Sequence, residues 1–132
     1  MTNSILVDGS NVLFWRGGQV DGIIPMLVAR ALIARRFAPV FYFDNSIHRH
    51  VRDADLKHLS ELVQVRVAPR GTQADALLLD ACTQGRIQIV SNDRFRGWRV
   101  DHPSLRSGWL VTGSIGKGAR VSLSKKLRPA PL

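Results

Sequence analysis

The chain has 132 residues, of which 45% are apolar and 22% charged, and its formal net charge is +9. This fits one globular domain with a real core and excludes a largely disordered or fibrous chain. The start, Met-Thr-Asn-Ser, carries no basic segment and no long apolar run follows, so neither a signal peptide nor a membrane span is expected.

The first apolar run, Ser4–Val7, reads as a buried strand that ends at Asp8 and turns at Gly9 and Ser10. Residues 23–37 place Ile24, Leu27, Val28, Ala31 and Leu32 at helical spacing, with Pro25 in the first turn. Pro39 breaks that helix, and Val40–Phe43 is a second strand ending at Asp44. A polar amphipathic helix follows over Arg52–Leu62, then a third strand at Val63–Val67. Thr72–Cys82 is a third helix, with Thr72 as its cap and Gly85 closing it. Ile87–Val90 is a fourth strand running into Ser91, Asn92 and Asp93, and Trp109–Thr112 is a fifth. Gly113, Gly116 and Gly118 mark a turn or hairpin into Arg120–Leu123. Ser124–Leu132 is expected to be a frayed basic tail, leaving residues 1–123 as the domain. Alternating strands and helices imply a mostly parallel central sheet covered on both faces, an α/β/α sandwich.

Charge is unevenly placed. Residues 1–93 carry 10 Lys/Arg against 9 Asp/Glu, whereas residues 94–132 carry 9 Lys/Arg against Asp101 alone. A basic surface concentrated in this way favours a polyanion, although a solubilising tail has the same composition. The single cysteine, Cys82, lies in an apolar run and is read as a buried thiol, which fits a reducing, cytoplasmic setting.

Three parallel strands end in acids: Asp8, Asp44 and Asp93. Such ends share one sheet edge, and the N-terminus of the helix carrying Asp75 faces it too. Four clustered carboxylates repel one another unless a cation intervenes. An all-oxygen set points to Mg²⁺ or Mn²⁺ rather than Zn²⁺. Such an ion suits phosphodiester cleavage. Arg94, Arg96 and Arg99 can then neutralise neighbouring phosphates, and Trp98 can stack on a base. Simpler roles exist for each acid: Asp8-Gly9 and Asp44-Asn45 as turns, Asp75 as a first-turn acid, Asp93 as a cap. Asp80 falls on another side of its helix and is left out of the set. The four histidines share no metal-binding spacing. Trp15 and Trp109 are as well suited to packing as to stacking.

The segments Ile-Leu-Val-Asp-Gly-Ser-Asn-Val at 5–12 and Ile-Val-Ser-Asn-Asp-Arg-Phe-Arg at 89–96 resemble the paired signatures of the Zc3h12a-type (Regnase-like) NYN ribonucleases of the PIN-like superfamily. Ala-Asp-Ala-Leu-Leu-Leu-Asp at 74–80 resembles their third motif, and the likeness spans roughly residues 4–98. The resemblance implies a three-layer α/β/α, Rossmann-like fold. It also implies a Mg²⁺-dependent endoribonuclease acting on single-stranded RNA, with metal-site Asp8, Asp75 and Asp93. Ser10, Asn11 and Asn92 would support them, and a homodimer is a further expectation. In one departure, Ala74 stands where the third motif often has a first acid. The rival readings are a non-catalytic RNA-binding module, a PIN-like toxin, and a DNA nuclease or small phosphatase.

Overall fold

The computed structural model describes residues 2–131. Five strands form one parallel sheet: β1 (Ser4–Asp8), β2 (Ala38–Phe43), β3 (Gln64–Val67), β4 (Ile89–Val90) and β5 (Leu110–Val111). Their order is β3-β2-β1-β4-β5. The chain therefore winds outward from β1 to β3, then returns to place β4 on the other side of β1. That reversal opens a crevice between the carboxyl ends of β1 and β4, where open α/β sheets bind ligands.

Alternation along each strand splits the core in two. Ile5, Val7, Phe41, Phe43, Val90 and Val111 face a cluster built with α2 (Ile24–Ala34) and α4 (Asp53–Leu62). Leu6, Tyr42, Ile89 and Leu110 face the opposite cluster, packed on Leu78, Leu79 and Cys82 of α5 (Ala74–Gly85). Helices thus cover both faces, as the expected three-layer sandwich requires. Two single-turn helices follow the first two strands: α1 (Gly9–Val12) directly after β1, and α3 (Ile47–His50) after a short turn from β2. A separate antiparallel hairpin, β6 (Gly113–Ile115) with β7 (Val121–Leu123), lies where the glycine-rich turn indicated one.

Several boundaries differ from expectation for local reasons. The second helix stops at Ala34 because Arg36 turns left-handed at φ 66° and feeds Phe37 toward β2. At the end of α5 the left-handed position falls to Arg86 at φ 52°, so Gly85 is the last helical residue. The strands before Asp93 and Gly113 shrink to two residues each.

The C-terminal segment is docked rather than frayed. Thr2 and Ala130 form an antiparallel bridge, with N–H donated in both directions at 2.8 and 2.9 Å. Leu127 joins the core, and the Arg128 backbone N–H donates to Gln88 Oε1 at 2.7 Å. Two buried apolar side chains and a backbone bridge outweigh the segment's charge, which stays on its exposed face.

Candidate active site

Asp8 is the last residue of β1, and only 4% of its surface is exposed. A buried carboxylate is costly unless its oxygens find donors. Both do: Asn11 N–H donates to Oδ1 at 3.2 Å, and the Ser91 hydroxyl donates to Oδ2 at 2.8 Å. The turn after β1 is therefore a short helix capped by Asp8 itself, which explains why Asp-Gly-Ser-Asn follows the strand. Gly9 is required there, since a Cβ on it would overlap the Phe43 ring.

Burial pushes the Asp8 carboxyl up to about 7. Hydrogen bonds from Ser91 and Asn11 oppose the rise, while the negative charges of Asp75 and Asp93 add to it. Asp75, half-buried in the first turn of α5, is also raised, first by desolvation and then by Asp93 and Asp44. Hydrogen bonding from the Trp98 indole partly offsets this. Asp75 thus lies within electrostatic reach of Asp8, Asp93 and Asp44, and Asp8 within reach of Asp93.

Asp93 is held by its neighbours on both sides. Its backbone N–H donates to Ser91 Oγ at 3.0 Å, and its Oδ1 accepts from Phe95 N–H at 2.8 Å. Phe95 adopts φ 54° and buries its ring against the α5 side of the core. This anchors the loop while Asp93, Arg94 and Arg96 stay exposed.

Asp44 has a structural task. Its Oδ1 accepts the Ala74 N–H at 2.8 Å, so it caps α5 from across the fold. The expected cap, Thr72, does not serve; the capping position is Gln73 and its side chain makes no capping bond. Ala74 itself is buried, so the position where a first acid was anticipated belongs to the core.

The expected supporting residues divide by role. Ser10 Oγ accepts the Asp44 N–H at 3.0 Å and ties α1 to the end of β2. Asn11 Oδ1 accepts from both Trp15 Nε1 at 2.9 Å and Asn92 N–H at 2.8 Å, joining the β1 and β4 turns. Asn92 turns its side chain away, exchanging two hydrogen bonds of 2.9 and 2.8 Å with the Gly113 backbone. Trp15 is buried, not a free stacking face. Trp98 is half-buried, edge-on to His102, with ring centroids 6.4 Å apart. Asp80 pairs with His102 at 2.9 Å, away from the other acids. Ser91 is the residue that sequence reasoning passed over, noting it only as where the fourth strand ends.

The donor set suits a hard divalent cation: carboxylate oxygens, with no imidazole or thiolate among them. Among the described residues, no group of three or more acidic, histidine or cysteine side chains is placed so that together they could hold a metal ion. Mg²⁺ does not need such a group, because it retains several waters and takes one or two carboxylates. Asp8 and Asp93 fit that requirement best, flanking the crevice between β1 and β4.

Fold and edge together define a three-layer α/β/α domain with an acidic crevice at its topological reversal. No protein-family model and no curated protein matches the sequence. Among solved structures, the chain is similar to nuclear proteinaceous RNase P 2 (PRORP2) from Arabidopsis thaliana, with a TM-score of 0.72 at 19% identity over 98% of this chain. A second structure of PRORP2 gives 0.69 at 18% identity over 94%. The chain spans about 30% of the length of those proteins. At such identity the likeness is one of fold, and it does not single out the Zc3h12a-type branch.

Proposed function

We propose that this chain is a metal-dependent endoribonuclease that cleaves single-stranded RNA to 5′-phosphate and 3′-hydroxyl ends. The observation that carries the reading is the buried Asp8, held between Ser91 and Asn11 and raised to about 7 beside Asp75 and Asp93. Evolution of a stable fold alone gives no reason to gather acids where burial already penalises one. A fold shared with an RNase P protein, and a cationic final third, support RNA as the substrate.

Asp8 and Asp93 would hold Mg²⁺ or Mn²⁺, with Asp75, and Asp44 through its remaining oxygen, completing the charge. When bound, the ion supplies water activation and charge neutralisation at the phosphodiester. The chain's own residues do the rest. Ser91 and Asn11 fix the orientation of the Asp8 carboxylate. The Phe95 turn fixes Asp93. Arg94, Arg96 and Arg99 draw in the phosphates beside the bond to be cut, and Trp98 borders them.

The test is cleavage of labelled single-stranded RNA with Mg²⁺ and with EDTA, comparing wild type, Asp8→Asn and Asp93→Asn. The reading expects metal-dependent cleavage that both substitutions abolish; activity surviving both would overturn the site assignment. The buried Ala74 favours one rival, a non-catalytic RNA-binding module. RNA binding with no Mg²⁺-dependent turnover would select it. Single-stranded DNA run in parallel separates the DNA-nuclease alternative.

A further inference from the structure

A second polar groove opens on the same sheet edge, on the far side of Asp44 from Arg94. Its volume is about 820 Å³, and Asp44, His48, Arg49, Arg70 and Gly71 are among its lining residues. Two loops build it. One follows β2 and carries His48 and Arg49 in α3; the other follows β3 and carries Arg70 at the turn into α5. Because β1, β2, β3 and β4 run parallel, both loops leave the sheet at the edge that holds Asp8 and Asp93.

The groove is built for an anion. Arg49 and Arg70 are exposed, and neither has a carboxylate partner among the described residues. Arg16 and Arg52, by contrast, are each paired with an aspartate, at 2.6 and 3.1 Å. The one acid in the groove, Asp44, has an oxygen committed to the Ala74 N–H. Thr72 and Gln73, at the positive end of the 12-residue α5, complete the wall. Unpaired guanidinium forks suit phosphate oxygens in geometry and charge.

We infer that Arg49 and Arg70 form a phosphate clamp for the stretch of RNA flanking the scissile bond, on the side opposite Arg94, Arg96 and Arg99. The inference rests on the nuclease reading for its direction, since the acids lie between the two basic flanks. Strands about 4.8 Å apart put the end of β3 about 10 Å from the end of β1. The clamp therefore holds a neighbouring phosphate and not the one being cut. It explains how a chain whose excess charge lies after residue 93 can grip RNA on both sides of an acidic crevice.

The experiment measures binding of a 5′-labelled single-stranded RNA by fluorescence anisotropy, in EDTA, across a salt series. Each clamp contact should contribute about 0.7 to the slope of log affinity against log salt. The double variant Arg49→Gln/Arg70→Gln should lower that slope by about 1.4 and weaken low-salt binding roughly tenfold. Lys57→Gln on the exposed face of α4 should change neither, and an unchanged melting temperature shows that the double variant is folded. Arg49→Lys/Arg70→Lys should restore the slope. An unchanged slope and affinity in the Gln variant, with both reduced by Arg94→Gln/Arg96→Gln, would overturn the clamp and leave the nuclease reading standing. Loss of binding in the Gln variant, with no Mg²⁺-dependent cleavage by wild type, would sink the nuclease reading and with it the flanking assignment, while supporting Arg49 and Arg70 as an RNA-phosphate clamp. If the wild type cleaves, the clamp further requires a raised KM with retained kcat. A fall in kcat at constant KM would place the arginines on the scissile phosphate and overturn the flanking assignment.

Discussion

The Ser91 hydroxyl donates to Asp8 Oδ2 at 2.8 Å while its oxygen accepts the Asp93 backbone N–H at 3.0 Å. One fully buried side chain thus couples the two acids on either side of the crevice. The contact exists only because β4 returns to lie beside β1. It orients the Asp8 carboxylate and lowers its pKa against the pressure of burial.

Removing that hydroxyl should therefore act on the pH profile more than on the fold. Ser91→Ala takes away an interaction that favours ionised Asp8, so the carboxyl pKa rises. If ionised Asp8 is the working form, the acidic limb of the RNA-cleavage profile moves to higher pH and more metal is needed for half-maximal rate. Ser91→Thr, which keeps a hydroxyl, should restore the limb. A profile unmoved by Ser91→Ala would show that this bond does not tune the site.

The pKa of Asp8 also predicts how stability depends on pH. Its folded value of about 7 stands above the usual value of about 3.9 in an unfolded chain. The folded state therefore holds a proton that the unfolded state has lost, and stability falls as pH rises from about 4 through about 7. The two limits differ by about 4 kcal/mol at most. Melting in EDTA should be higher at pH 5 than at pH 8, and Mg²⁺ should recover part of the loss at pH 8. Asp8→Asn should flatten most of the slope. What remains runs the same way: Asp75 is raised, and His102 is raised by its bond to Asp80, so its contribution is lost as pH climbs through its own folded value. Equal slopes in wild type and Asp8→Asn would refute the assignment of that proton.

The strand ends were legible because buried parallel strands read as unbroken apolar runs, and Ile-Leu-Val-Asp stops abruptly at a charge. What stayed hidden depends on partners distant in sequence. Ser91 drew no role from the sequence because its partner, Asp8, lies 83 positions away. Asn92 looked like support for the acids, yet its amide pairs with Gly113 as a strand would. Leu127 stands between cations and Ala130 between prolines, with no periodicity to announce that they pack. Asp44 was readable as a strand-end acid, but its role as a remote cap for α5 has no local signature.

That capping bond separates two roles for Asp44. Asp44→Ala leaves the Ala74 N–H without its acceptor and should cost about 1 kcal/mol, the usual range for a lost cap. Asp44→Asn keeps an oxygen acceptor and should melt close to wild type. Its effect on RNA cleavage then reports charge alone. Asp44 follows β2, on the side of β1 away from the β1–β4 crevice, so the expected loss is smaller than for Asp93→Asn. A larger loss than Asp93→Asn, at unchanged melting temperature, would make Asp44 a principal ligand.

Gly9 offers a route to the site through packing. A methyl group there would overlap the Phe43 ring, which is fully buried and stacked on Phe41 with centroids 6.0 Å apart. Phe41 confines the ring on one face, so part of the relief falls on the backbone at Asp8-Gly9. Overpacking of this kind costs about 1–3 kcal/mol. Gly9→Ala should lower the melting temperature and, by shifting the end of β1, reduce RNA cleavage further than the lost stability explains when assayed well below the melting point. Gly116→Ala is the matched control, because a Cβ there meets nothing nearer than the Arg120 carbonyl at 3.8 Å. It should leave both measurements unchanged. Full activity in folded Gly9→Ala would show that Asp8 tolerates displacement and that its position is less tightly specified than the hydrogen bonds from Ser91 and Asn11 imply.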